Sequence, residues 1–296
     1  MVPGRSFVVV AGNNYETTTR HHRAAPQGEL VNPIHAIVLA IVQGLSEFLP
    51  ISSSGHLILA PYFLGWPDQG LAFDVAVHVG TLVGLVLYFR NELLRMARAW
   101  FASFAGGGLT PDGRLAWCVV LGTIPVGLAG IAFSGFIEQI LRKPLFVAGM
   151  LAGFGILMWA ADRLGAERRD EYTVGWRDAL LIGCAQALAL MPGTSRSGVT
   201  MTMARVLGLT RSAAARFSFL LAVPGIAMAG GFELEQLLTT SGDGADWAMM
   251  GLGLLVAAVT GYLCIHVLLK VIGRIGLAPF ALYRLLIAAL IVLVQG

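Results

Sequence analysis

Two short polar stretches interrupt an otherwise apolar chain and hold most of its chemistry. The first is Glu47 with Ser52-Ser53-Ser54-Gly55-His56, and the second is Thr194-Ser195-Arg196-Ser197-Gly198. Hydroxyls and a planar guanidinium fork are donors suited to phosphate oxygens. Each stretch leads into an apolar segment of helical length, from Gly55 through Leu64 and from Gly198 through Leu209. A helix N-terminus presents unpaired N–H groups and about half a positive charge, a ready anion site. Ser52, Ser53, Ser54, Thr194, Ser195 and Ser197 then supply hydroxyl donors, Gly55 and Gly198 close backbone, and Arg196 the fork. The implied ligand carries phosphate.

Glu47 and His56 make such a site reactive. His56 can act as nucleophile, general base or general acid near neutral pH. It lies three residues beyond Ser53, so either can attack phosphorus while the other manages a proton. Glu47 can ligate a divalent cation, Mg²⁺ or Ca²⁺, bridging phosphate oxygens. Gln43, one helical turn earlier on the same side, offers a second, neutral oxygen ligand. The same residues have plainer uses: Glu47 and Arg196 as a structural ion pair, His56 as a partner for a loop carbonyl. Asp74 and His78, one turn apart, read as interface polar groups, with Asp74 near enough to support the site from behind.

The elements that position these residues follow from composition. Of 296 residues, 56% are hydrophobic and 12% charged, about half the charged share of a soluble domain. So few charges cannot cover a water-facing surface, which excludes a soluble enzyme, a nucleic-acid-binding domain and a disordered chain. The net charge of +3 is too small to point to a polyanionic partner. Cys118, Cys184 and Cys264 lie in apolar stretches and read as small buried hydrophobes. Residues 1–32 are a polar extension, expected to be mobile, and 33–296 form one integral membrane domain.

Six apolar stretches match the roughly 20 residues needed to cross a bilayer: 71–89, 115–135, 145–161, 214–230, 247–269 and 277–295. Ile34–Leu64 and Ala179–Leu209 do not fit, because each carries a polar, proline-bearing cluster at its centre. Proline and glycine free backbone groups that lipid cannot satisfy, and a mid-helix charge costs about 2.5–3.5 kcal/mol on insertion scales. These two stretches are expected to dip in and return as helix–loop–helix hairpins. Linkers 90–114 and 162–178 carry four arginines each, and 231–246 carries four acidic residues and no Lys or Arg. The positive-inside rule then places the first two linkers in the cytoplasm and the third outside, if neither polar-centred stretch crosses. Arg5, Arg20, Arg23, Arg142 and Lys143 run against the rule.

The expected fold is an all-α polytopic membrane protein, six transmembrane helices plus two re-entrant hairpins in an inverted-topology repeat (about 33–162 and 178–296). An offset of 143 aligns Gln43 with Gln186, Leu45 with Leu188, Ser52 with Ser195, Ser54 with Ser197 and Gly55 with Gly198. Inverted repeats with broken helices place a polar site at the repeat interface. Arg205, Arg211 and Arg216 are expected to snorkel to headgroups, and His35 and His266 to be satisfied within helices. Gly149, Gly153, Gly155, Gly251, Gly253 and Gly261 are expected at close helix contacts.

The run from Gln43 to His56, with Pro192-Gly-Thr-Ser-Arg-Ser-Gly198, resembles the undecaprenyl-diphosphate phosphatase family of the bacitracin-resistance type, from about Ile34 to the C-terminus. The resemblance implies hydrolysis of undecaprenyl diphosphate to the monophosphate, recycling the lipid carrier for cell-wall synthesis. It also implies a divalent cation and a bacterial inner-membrane location, with the site opening toward the periplasmic face. It maps the family's acidic residue onto Glu47, its candidate nucleophilic serine onto Ser53, its histidine onto His56, and its phosphate-binding serine and arginine onto Ser195 and Arg196. Some members carry a second glutamate where this chain has Gln43, which can still coordinate through its amide oxygen.

A lipid-phosphate transporter or flippase, with or without hydrolysis, is the alternative, since inverted repeats and broken helices are also transporter features. The expected partners are a polyprenyl diphosphate and the bilayer, with no nucleic acid. Oligomeric state stays open, a homodimer among the options. The acid-phosphatase-like membrane lipid phosphatases are a weaker match: Ser54-Gly55-His56 echoes their central motif, but no Lys precedes His56 and no His follows Arg196 before His266.

Overall fold

A computed structural model describes residues 32–67, 69–106, 108–140, 144–240 and 246–295. The expectations for residues 1–31, and for Arg142 and Lys143, lie outside the described residues. All regular structure among the described residues is helical, apart from an isolated bridge between Arg169 and Leu209. The helices are α1 (Pro33–Ser46), α2 (Ser53–Leu64), α3 (Gly70–Phe104), α4 (Pro111–Ile140), α5 (Pro144–Leu164), α6 (Trp176–Ala187), α7 (Arg196–Val206), α8 (Arg211–Thr240), α9 (Trp247–Ile275) and α10 (Ala278–Gln295).

Both polar-centred stretches break where their sequences require. Asn32 caps α1 by accepting from the Ile34 N–H at 2.9 Å, with Pro33 at the first helical position, where its missing N–H costs nothing. The chain leaves α1 at Glu47 and restarts as α2 at Ser53; α6 likewise passes through a short 3₁₀ turn at Leu188–Leu190 before α7 starts at Arg196. With 14 and 12 residues in α1 and α2, and 12 and 11 in α6 and α7, no arm exceeds roughly 21 Å at 1.5 Å per residue. That is short of the 30 Å or so of a hydrocarbon core.

Five helices, drawn from α3, α4, α5, α8 and α9, are long and apolar enough to cross a membrane. The stretch expected at 277–295 forms α10, apolar but 18 residues long. The expected spans underestimate the helices. α3 does not stop near residue 89 but runs on through Phe104, into the arginine-bearing segment that was expected to be a linker. The extension is held by aromatic packing of Trp100 on Trp117 (ring centroids 5.5 Å apart). No proline or glycine breaks the helix between Gly84 and Phe104.

The two halves interlock. The first arm of each hairpin packs against the second long helix of the other half: α1 on α9, and α6 on α4. Small residues allow the approach. A Cβ on Gly44 would lie 2.7 Å from Thr260 Cβ. A Cβ on Gly183 would overlap the Gly122 carbonyl oxygen. Of the six glycines expected at such contacts, Gly155, Gly253 and Gly261 lie against Arg284, Phe73 and Phe48, whereas Gly149, Gly153 and Gly251 face open space. Periodicity marks a small residue but not which helix approaches it.

The arginines expected to snorkel are all held in ion pairs, and Arg205 is buried away from any surface. Arg205 is fully buried, its guanidinium beside Asp162 and Glu167 and donating to the Leu209 carbonyl at 2.5 Å. Arg211 pairs with Asp162 at 2.7 Å, and Arg216 bridges Glu92 and Glu171. These carboxylates come from α3, α5 and the 167–171 linker, so the network ties the end of the second hairpin to its surroundings. Cys184 also departs from expectation, being exposed on α6, while Cys118 and Cys264 are buried and all three are free thiols. His35 stacks on Trp66 at 3.9 Å and His266 packs edge-on near Tyr88.

Candidate active site at the meeting of the two hairpin tips

The tips of the two hairpins touch. Glu47, leaving α1, accepts from Arg196 Nη2 at 2.8 Å, and Ser197 Oγ donates to the Leu49 carbonyl at 3.0 Å. The offset of 143 that relates the sequences also relates the backbones. Ser52 and Ser195 are the two non-glycine residues with positive φ among those described (78° and 70°), and each immediately precedes its helix. That conformation costs a non-glycine residue about 1–2 kcal/mol, so something must hold it. Ser195 Oγ accepts from the Gly198 N–H at 3.2 Å. Ser52 makes no such side-chain cap, but its carbonyl accepts from His56 Nδ1 at 2.7 Å. Ser53 and Arg196 therefore occupy equivalent places, the first position of α2 and of α7.

Around Glu47 the site is tightly wired. Its Oε2 accepts from Ser53 Oγ at 2.7 Å and from Gln43 Nε2 at 3.0 Å. The Glu47 side chain is 7% exposed and that of Arg196 18%. Burial at this level makes the pair sensitive to loss of either partner, because the charge left behind is uncompensated. Arg196 Nη1 and Thr194 Oγ1 are buried without a protein partner. They are donors of the type and place that an anionic ligand would satisfy. Ser54 is exposed and Gly55 half-buried, whereas Ser195, Ser197 and Gly198 are buried. The hydroxyls pair within each tip: Ser52 with Ser54 (3.4 Å), and Ser195 with Ser197 (3.3 Å).

Gln43 presents its N–H rather than its oxygen to Glu47, and its Oε1 is buried without a partner. Among the described residues no cluster of three or more His, Cys, Asp or Glu could cage a metal ion. The oxygen donors at this place are the Glu47 carboxylate, which already accepts from Arg196, Ser53 and Gln43, and the unpartnered Gln43 amide oxygen.

Three contributors escaped the sequence reading. His78, read there as an interface group, brings Nε2 to 4.0 Å from Glu47 Oε2 while Nδ1 meets the Asp74 carbonyl at 2.8 Å. Tyr283 on α10 places its hydroxyl 2.6 Å from His56 Nε2. Its neighbour Arg284 is 1% exposed and donates to carbonyls of both tips, Gly193 (2.9 Å) and Pro50 (3.4 Å), and to Leu151 (3.2 Å) and Met150 (3.5 Å) of α5. The available signal was the Tyr283-Arg284 pair itself, a charge deep in an apolar stretch of 18 residues, since ionisable residues in such segments mark functional or structural sites.

Beside the polar tips lies an open apolar groove of about 380 Å³, lined by Leu45, Leu49, Cys264, Val267 and Phe280 among others. Leu49 is shared by groove and site, since its carbonyl receives Ser197.

The sequence matches the family described as Bacitracin resistance protein BacA over residues 36–290. It is 58% identical over 268 residues to Undecaprenyl-diphosphatase 2 of Stutzerimonas stutzeri (strain A1501), covering 89% of this chain and 98% of that protein. It is 56% identical over 258 residues to Undecaprenyl-diphosphatase of Nitrosococcus oceani, covering 87% and 97%. For Undecaprenyl-diphosphatase of Thioalkalivibrio sulfidiphilus the identity is 55% over 253 residues, covering 86% and 95%. With a match that runs from α1 to near the end of α10, this chain belongs to the bacitracin resistance protein BacA family.

Proposed function

We propose that this chain is a multi-pass bacterial membrane phosphatase that hydrolyses undecaprenyl diphosphate to undecaprenyl phosphate and inorganic phosphate. The observation that carries the reading is the Ser53 hydroxyl lying 2.7 Å from the Glu47 carboxylate: a nucleophile in contact with its base. Carrying a phosphate across a membrane needs donors such as Arg196 but no base on a serine, so this contact favours hydrolysis over transport alone.

In the mechanism we propose, Arg196 Nη1, Thr194 Oγ1 and the α7 N-terminus hold the oxygens of the terminal phosphoryl group. Ser53 Oγ attacks that phosphorus and passes its proton to Glu47, and the bond to the bridging oxygen breaks to release undecaprenyl phosphate. Water then cleaves the phosphoserine, returning the proton to Ser53 and releasing inorganic phosphate. His56 is tied at both ring nitrogens, which favours Ser53 over His56 as nucleophile. Glu47 and Gln43 Oε1 are the residues that would hold Mg²⁺ or Ca²⁺ together with the substrate. Such a cation supplies neutralisation of phosphoryl charge.

In this reading the first isoprene units of the lipid tail lie along the open apolar groove beside Leu49. The membrane arrangement that goes with this reading has six spans, and two hairpins that return to the side they enter. The site then opens to the periplasmic face, and the product re-enters cell-wall synthesis.

Purified protein in detergent is expected to release phosphate from undecaprenyl diphosphate faster than from a short prenyl diphosphate at equal subsaturating concentration, and EDTA is expected to suppress release on both. No release in detergent, where no second compartment exists, would favour transport. Full activity in EDTA would remove the cation.

A further inference from the structure

The two tips hold their strained serines differently, and the difference points to α10. Ser195 is held from within its own tip, its hydroxyl accepting from the Gly198 N–H. Ser52 has no side-chain cap; its carbonyl is gripped by His56 Nδ1 at 2.7 Å. A carbonyl oxygen can only accept, so Nδ1 must carry the proton. In neutral imidazole Nε2 is then an acceptor, and the group 2.6 Å from it, Tyr283 Oη, must be the donor. The two rings lie within 13° of one plane direction with centroids 5.5 Å apart. One chain of contacts thus runs from α10 through His56 to the backbone of Ser52, whose carbonyl is the last group before Ser53.

We propose that Tyr283 is a positioning residue of the phosphatase reaction. Its hydroxyl fixes His56 as the Nδ1-protonated tautomer, and His56 in that form holds the Ser52 turn that aims Ser53 at the phosphoryl group. This rests on the reading of Ser53 as nucleophile, and it assigns His56 an orienting task set by a residue 227 positions away in sequence. The phosphate-holding groups Arg196 and Thr194 belong to the other tip, so losing the Tyr283 hydroxyl disturbs the attacking group and leaves the binding donors in place.

The test is a double-mutant cycle with Tyr283→Phe and His56→Ala, read by kcat and KM separately. Tyr283→Phe is expected to lower kcat about 3- to 10-fold, the size of one neutral hydrogen bond, with KM within twofold of the parent. In the His56→Ala background the same change is expected to cost less than twofold. A Tyr283→Phe loss of equal size in both backgrounds, or one that falls on KM, would mean that the phenol meets the substrate itself and would overturn the proposal. A readout independent of turnover is the ¹⁵N spectrum of histidine-labelled protein, with the His56 signals assigned by their disappearance in His56→Ala. The expected wild-type spectrum shows the Nδ1-protonated tautomer, moving toward a mixture in Tyr283→Phe. An Nε2-protonated wild type, or a spectrum unmoved by Tyr283→Phe, would also overturn it. Should the wild-type protein release no phosphate, the functional reading falls, and the spectrum alone still decides whether Tyr283 orients His56.

Discussion

Ser53→Ala is expected to lower kcat roughly 10³-fold or more, the scale seen when a nucleophile is removed, while leaving the fold intact. The hydroxyl's contact is with Glu47 Oε2, which keeps Gln43 Nε2 at 3.0 Å as a donor when Ser53 is truncated. Glu47→Gln is expected to match that loss and also to destabilise the protein. The amide cannot take the Ser53 proton, and it leaves the Arg196 guanidinium without the carboxylate that now lies 2.8 Å away. Breaking a buried ion pair from one side costs about 3–5 kcal/mol. Phosphate release and thermal unfolding in detergent, measured together, separate the two effects. Ser53→Ala should unfold with the parent and Glu47→Gln below it. Turnover within tenfold of the parent in Ser53→Ala would take the nucleophile away from this residue.

The second large effect is expected at Arg284, a residue that does no chemistry in the mechanism. Its guanidinium is fully enclosed and reaches carbonyls of both tips and of α5. Arg284→Met leaves the Pro50 and Gly193 carbonyls of the two tips without this donor, each at a cost of about 1–3 kcal/mol, while the Met150 and Leu151 carbonyls keep their partners within α5. Unfolding should therefore fall well below the parent, and activity should be lost with it. Arg284→Lys keeps the charge but replaces a planar fork by a single point that cannot span both tips. It is expected to fold better than Arg284→Met and still lose most of its activity. A stable, active Arg284→Met would show that the tips hold each other without α10.

The fold was legible where the chemistry of lipid leaves few choices. Polar, proline-bearing centres at 47–56 and 192–198 cannot sit inside a spanning helix, and both become the breaks between paired short helices. The offset of 143 was also legible as weak identity, and the paired positive-φ serines give it a physical meaning that sequence matches alone do not carry. Helix ends were not legible. α3 continues through an arginine-bearing segment, since arginine is a good helix former and charge by itself does not end a helix.

For the site, Glu47, Ser53, His56 and Arg196 stood out because reactive side chains are conspicuous in apolar surroundings. His78, Tyr283 and Arg284 were missed because what brings them in is the packing of α3 and α10 around the tips, at separations in sequence that no local motif spans. The burial of Arg205 was missed for a related reason. The carboxylates that pair with these arginines, Asp162, Glu167, Glu92 and Glu171, are brought there by other elements.

The most direct test of a nucleophile on one tip and a phosphate holder on the other is to trap the phosphoenzyme. Purified protein is mixed with undecaprenyl diphosphate labelled in its terminal phosphate and quenched within a turnover, and the labelled peptide is mapped. The account predicts an acid-stable phosphoserine at Ser53 that forms more slowly in Arg196→Lys, where the fork is lost but the nucleophile remains. Acid-labile label on His56, or turnover by the wild type with no label on the first tip at any time, would contradict it.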